Sequence, residues 1–148
     1  MNIQQKIEEA EDRLAIRNLV DNYAYCADRR DAQGQMSLFT EDTKFEVYYD
    51  PKSGTASQVI NSRSDLFPVF DNLNTYNATM HFNGQSTIIL NGNTATGITY
   101  CMAHHLTIED GKQKFMIAAI RYEDLFVKQE DKWLFAGRKL LVDWIENR

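Results

Sequence analysis

The second half of the chain limits the fold more than any other part of it. Four β-rich segments, residues 79–90, 94–108, 114–128 and 132–145, follow one another with only Asn91-Gly92-Asn93, Glu109-Asp110-Gly111-Lys112 and Lys128-Gln129-Glu130-Asp131 between them. Connections this short reverse the chain and cannot carry it across a sheet. Consecutive strands must therefore pair antiparallel, as a meander. One face of such a sheet has to be covered, and the material for the cover lies upstream.

Upstream, residues 5–29 read as one helix. Ile16, Leu19, Val20, Tyr23 and Ala27 recur at helical spacing, which leaves Glu9, Asp12, Arg13 and Arg17 to face water. Acidic residues near its start and Arg29-Arg30 at its end suit the helix macrodipole. Asp31 is placed to cap a second short helix carrying Met36, Leu38 and Phe39. Lys44 to Tyr49 reads as a short strand and Asp50 to Gly54 as a loop. Asn61 to Asn74 reads as a third helix, capped by Ser62 or Ser64, with Pro68 marking a first turn or a break. Helices followed by a long meander make an α+β layout, and 148 residues suffice for a single domain, 1–148, with a sizeable core.

Composition narrows the function classes. The formal net charge is −5 and no Lys/Arg cluster stands out, which argues against nucleic acid or an anionic membrane as partner. No apolar run approaches the ~20 residues that span a bilayer, and residues 1–13 lack the apolar segment of a signal peptide. Two cysteines, Cys26 and Cys101, do not form a disulfide framework and read as reduced thiols of a cytoplasmic protein. There is no H-E-x-x-H pattern, no Cys/His ligand spacing and no glycine-rich phosphate loop. Neither a metal site nor a bound cofactor is expected.

Two polar residues stand out in apolar frames. Asp28 closes the first helix after Tyr23-Ala24-Tyr25-Cys26-Ala27, and His81 opens the first long strand in Met80-His81-Phe82. Brought together, a carboxylate and an imidazole make a general base, the carboxylate orienting the ring and stabilising its charged form. His81 shares a strand face with Asn83, Gln85 and Thr87 if the strand is regular. His104 and His105 then point to opposite faces, His104 among Ile98, Tyr100, Met102 and Leu106. Arg138 interrupts the alternation Leu134, Ala136, Leu140, Val142. A guanidinium there must pair with a carboxylate or line a cavity, where it would anchor negative charge. Tyr23 and Tyr48 are amphipathic side chains able to donate to a substrate oxygen.

The run Leu19-Val20-Asp21-Asn22-Tyr23-Ala24 with Asp28 and Asp31, Leu38-Phe39-Thr40-Glu41-Asp42, the strand beginning at His81, Tyr100 with His104, Arg121-Tyr122-Glu123-Asp124, Trp133-Leu134-Phe135 and Arg138-Lys139-Leu140 resemble the nuclear-transport-factor-2-like superfamily. More closely the chain is similar to its SnoaL-like branch, over nearly its whole length. The resemblance implies a cone: a strongly curved antiparallel sheet wrapped around N-terminal helices, with one apolar pocket between them. Members with an Asp–His pair include scytalone dehydratase, a lindane dehydrochlorinase and a bile-acid 7α-dehydratase. It therefore implies a cofactor-independent lyase, dehydratase-like, acting on a small cyclic or polycyclic substrate. Asp28 and His81 match the catalytic pair, while Tyr23, Tyr48, His104 and Arg138 match substrate-binding positions. An isomerase or polyketide-cyclase-like enzyme, or a non-catalytic binding or assembly protein, remains open on the same fold. Homo-oligomerisation, as a trimer or dimer, is expected because a sheet of this kind exposes a face or edge.

Overall fold

In the computed structural model, which describes all residues from Met1 to Arg148, three helices pack into the hollow of one six-stranded sheet. The helices are α1 (Ile3–Asp28), α2 (Ala32–Met36) and α3 (Phe67–Asp71). The strands are β1 (Phe39–Tyr48), β2 (Gln58–Ile60), β3 (Ala78–Asn91), β4 (Thr94–Glu109), β5 (Lys112–Gln129) and β6 (Lys132–Asn147), in sheet order β2-β1-β6-β5-β4-β3. The meander β3–β6 is antiparallel throughout. Its last two turns put both central residues at positive φ: Asp110 (51°) with Gly111 (75°), and Glu130 (51°) with Asp131 (60°). Turns of that hand match the twist of long hairpin strands.

The sheet is mixed rather than purely antiparallel. β1 starts at Phe39, earlier than its composition suggests, and runs parallel to β6, pairing Phe45 with Arg138 and Val47 with Leu140. A chain that leaves α2 and enters the sheet on the far side of β6 arrives in that direction. The segment from Asn61 to Asn74 is not one helix. Pro68 lies in the first turn of α3, with 3-10 turns at Arg63–Leu66 and Asn72–Thr75 on either side. Pro68 has no N–H to donate, so no helix runs through it.

α1 buries Ile16, Leu19, Val20, Tyr23 and Ala27 against the sheet, as its periodicity predicts. Its start is set by a capping box between Asn2 and Gln5 rather than by acidic residues. It ends in a Schellman turn: Asp31 N–H donates to Cys26 C=O at 2.9 Å and Arg30 N–H to Ala27 C=O at 3.2 Å, with Arg30 at φ 63°. Arg13 is exposed as expected and Asp12 and Arg17 are half-buried, and all three also tie the helix to the sheet. Asp12 accepts from Trp133 Nε1 at 2.8 Å and from Lys128 Nζ at 3.1 Å. Arg13 and Arg17 donate to the Ile88 and Gly84 carbonyls at 2.8 and 3.0 Å. Gly84 sits in a bulge between Asn83 and Ser86, where the β3–β4 register shifts. The bulge leaves a carbonyl free for Arg17 and also swaps the faces of the strand.

Candidate active site

Asp28 is the last residue of α1, where the helix dipole disfavours a negative charge. Donors from the start of β3 offset that. The Thr79 hydroxyl donates to Asp28 Oδ1 at 2.9 Å, and the His81 backbone N–H to Oδ2 at 2.9 Å. The His81 ring completes the set, with Nδ1 2.7 Å from Asp28 Oδ1. Arg30 fixes this corner by donating to both the Ala27 carbonyl and the Thr79 hydroxyl, at 2.9 and 2.8 Å. Burial raises the Asp28 pKa, but the bonds from the His81 ring and N–H, the attraction of that ring and the Thr79 bond together hold it below the usual carboxylate range. An ionised Asp28 can only accept, so Nδ1 carries the proton and Nε2 is the free base nitrogen.

The His81 ring lines a cavity of about 620 Å³, enclosed mainly by apolar side chains from every layer of the fold. Phe45, Val47, Ile120 and Val142 form its sheet side, and Val69 and Phe70 of α3 its other wall. A second imidazole shares it. His105 is buried, its ring centroid 5.9 Å from that of His81 and 4.7 Å from that of Tyr76. His105 Nδ1 lies 3.2 Å from the Met116 carbonyl. The carbonyl can only accept, so Nδ1 donates and Nε2 is left as an acceptor. Burial, reinforced by the neighbouring His81, lowers the His105 pKa against the pull of the Met116 bond. By NMR titration, His105 is expected to protonate below the usual histidine value of about 6.5. The neutral imidazole is the form that folding favours. Its contribution to stability is full above the unfolded pKa and lost as pH falls toward the folded one. A His105 that titrates at or above the usual value would contradict this placement.

The other predicted residues divide. Tyr23 lines the cavity floor and is buried at the centre of an aromatic cluster with Phe39, Phe70, Tyr122 and Phe135. Burial pushes its hydroxyl up to about 12, so it acts as a neutral group. Tyr48 is on the opposite face of β1, with its hydroxyl donating to Glu46 at 3.0 Å. Its neighbour Tyr49 lines the cavity instead. His104 likewise points out of the sheet and is exposed, and His105 takes the inward position. Arg138 is fully buried but does not line the cavity. Its guanidinium stacks on Tyr122, Tyr23 and Phe135 at 3.5, 4.1 and 4.5 Å from the ring centroids. Its partner is the buried Asp124, with Nε 2.9 Å from Oδ1. That contact is off line for a hydrogen bond, and Nη2 reaches Oδ2 only at 3.4 Å. Coulombic attraction and the aromatic faces therefore hold this pair.

Two features escape a regular-strand reading. The bulge at Gly84 sends Thr79, His81 and Asn83 inward before it and Ser86, Ile88 and Leu90 inward after it, so Gln85 and Thr87 do not share the face of His81. The wall made by Asn72, Leu73 and Tyr76 comes from the end of the segment read as one helix, where a 3-10 turn at Asn72–Thr75 follows α3 and changes the direction of these side chains.

The model of the SnoaL-like domain matches residues 8–139. The chain belongs to the SnoaL-like domain family. Solved structures of SnoaL-like shape show the same fold. A candidate scytalone dehydratase from Novosphingobium aromaticivorans superposes with a TM-score of 0.79 at 21% identity, over 95% of this chain and 89% of that one. An NTF2-like protein with a cystatin-like fold, also from Novosphingobium aromaticivorans, gives 0.78 at 22%, over 96% and 88%. The type-3 hexachlorocyclohexane dehydrochlorinase LinA of Novosphingobium barchaimii gives 0.80 at 13%, over 97% and 94%. No curated protein matches the chain in sequence. The family follows from the domain match, and the NTF2-like fold from the structural ones. At these identities the neighbours speak for the fold alone.

Proposed function

We propose that this SnoaL-like protein is a dehydratase-like lyase in which Asp28 and His81 form the general base. The observation that carries the reading is the 2.7 Å Asp28–His81 contact on a ring that lines an apolar cavity of about 620 Å³. A space of that size suits a small cyclic or polycyclic molecule. Nε2 of His81 removes a proton from carbon next to a carbonyl. The C–H electron pair becomes the new C=C bond and the β C–O bond breaks. The departing hydroxide takes the proton from Nε2 and leaves as water. Asp28 keeps the ring oriented and stabilises the imidazolium during the step. The two neighbours named for dehydratase and dehydrochlorinase are named for eliminations of the same type, which supports the choice.

The test is a screen of cyclic β-hydroxyketones for water loss, with His81→Ala as control. Water loss that depends on His81 is the expected result. Double-bond migration in a β,γ-unsaturated cyclic ketone, with no water loss from the hydroxyketones, would assign the same base to an isomerase, and water loss unaffected by His81→Ala would sink the mechanism.

The outer face of the sheet carries exposed Phe82, Ile89, Leu125 and Trp144, each more than half accessible. Lys44, Glu46, Glu123 and Lys139 border a trough around Ile89, Ile98 and Leu125. Opposite charges beside one apolar patch allow a second copy to pair with the first. A homo-oligomer is expected by sedimentation, and Leu125→Glu with Ile89→Glu should reduce it to a monomer of 17.1 kDa. A monomeric wild-type protein would contradict this.

A further inference from the structure

We propose that the cavity selects uncharged, hydroxylated ring compounds and excludes anions, because its walls offer two acceptor nitrogens and no cationic side chain. This deepens the lyase reading and depends on it only in taking the cavity as the substrate site. Among the lining residues the one carboxylate is Asp65, at the exposed mouth, and there is no lysine or arginine. Arg138 is covered by Tyr23 and Tyr122, the same rings that floor the cavity, and its charge is matched by Asp124. Arg30 is committed to Ala27 and Thr79, and Arg63 to Phe39 and Glu41.

The base adds no positive charge. With Asp28 ionised, the Asp28–His81 pair is neutral when the imidazole is protonated and negative when it is not. An anion that leaves water for this cavity meets no counter-charge, which is costly in an apolar environment. A hydroxyl group, in contrast, finds Nε2 of His105 as an acceptor opposite His81.

Binding of 2-naphthol and 2-naphthoate, which share a ring system, tests this by calorimetry at neutral pH. The naphthol is expected to bind at least about tenfold more tightly. Ile145→Arg, a change at the cavity rim, should narrow that gap by strengthening the naphthoate alone. Equal or tighter binding of 2-naphthoate overturns the proposal. So does failure of 2-naphthol to bind at its solubility limit, or an Ile145→Arg variant with an unchanged gap. His81→Asn separates this from the lyase reading. A preference retained in that variant, with no turnover by any form of the protein, would leave anion exclusion standing and remove the elimination chemistry. His81-dependent turnover with no preference would do the reverse.

Discussion

Truncating Asp124 to alanine is expected to destabilise the protein by about 3–5 kcal/mol, because it leaves the Arg138 guanidinium buried without a counter-charge. Neither side chain has any accessible surface, so water cannot replace the lost partner. The aromatic faces of Tyr23, Tyr122 and Phe135 retain Arg138 only in part. Removing both charges, with Asp124→Leu and Arg138→Met, should recover most of the loss, since the desolvation of two ions is removed with them. Urea denaturation of the three forms checks this. Desolvation pushes Asp124 up to about 6 against the pull of Arg138, so holding this carboxylate ionised inside the fold is itself costly, which is why removing both charges together should recover the loss. A single Asp124→Ala variant as stable as the wild type would mean that Arg138 finds solvent after all.

Asp28→Asn is expected to lower kcat/KM about 10²–10⁴-fold for any substrate whose turnover depends on His81. An amide oxygen in the Oδ1 place can still accept from the Thr79 hydroxyl and the His81 ring, while the amide NH2 meets the His81 backbone N–H, so a modest loss of stability accompanies the loss of activity. What disappears is the charge that stabilises a protonated ring. The stability profile changes with it. Asp28 is held below the usual carboxylate range, so its contribution is present above that range and lost as pH falls through the folded value. In Asp28→Asn that part of the acid sensitivity should vanish. A loss of stability at pH 7 with turnover unchanged would assign Asp28 a purely structural role.

The sequence made the meander, α1 and the Asp31 cap legible, because each rests on local signals: short turns, a 3.6-residue period and a capping side chain. The parallel entry of β1 beside β6 was not legible, since no local pattern records which sheet edge a strand meets. Asp28 and His81 stood out as polar residues in apolar frames, and the structure brings them together. Which of His104 and His105 enters the cavity was not legible, because Tyr100 and Met102 keep the outer face of β4 as apolar as its inner face. The family resemblance points to Tyr48, although it shares the face of Lys44 and Glu46 on β1 and Tyr49 the face of Phe45 and Val47. From its position Arg138 had to pair with a carboxylate or line a cavity, and the structure shows the pair; the partner was not legible because Asp124 lies 14 residues away on the adjacent strand.

Deuterium incorporation from D2O is the most direct test of the base. A cyclic β-hydroxyketone incubated with the wild-type protein is expected to acquire deuterium at the carbon next to its carbonyl, or to lose water. His81→Ala should reduce both to the rate without enzyme. Exchange and elimination that persist in His81→Ala would contradict the assignment of Asp28–His81 as the general base.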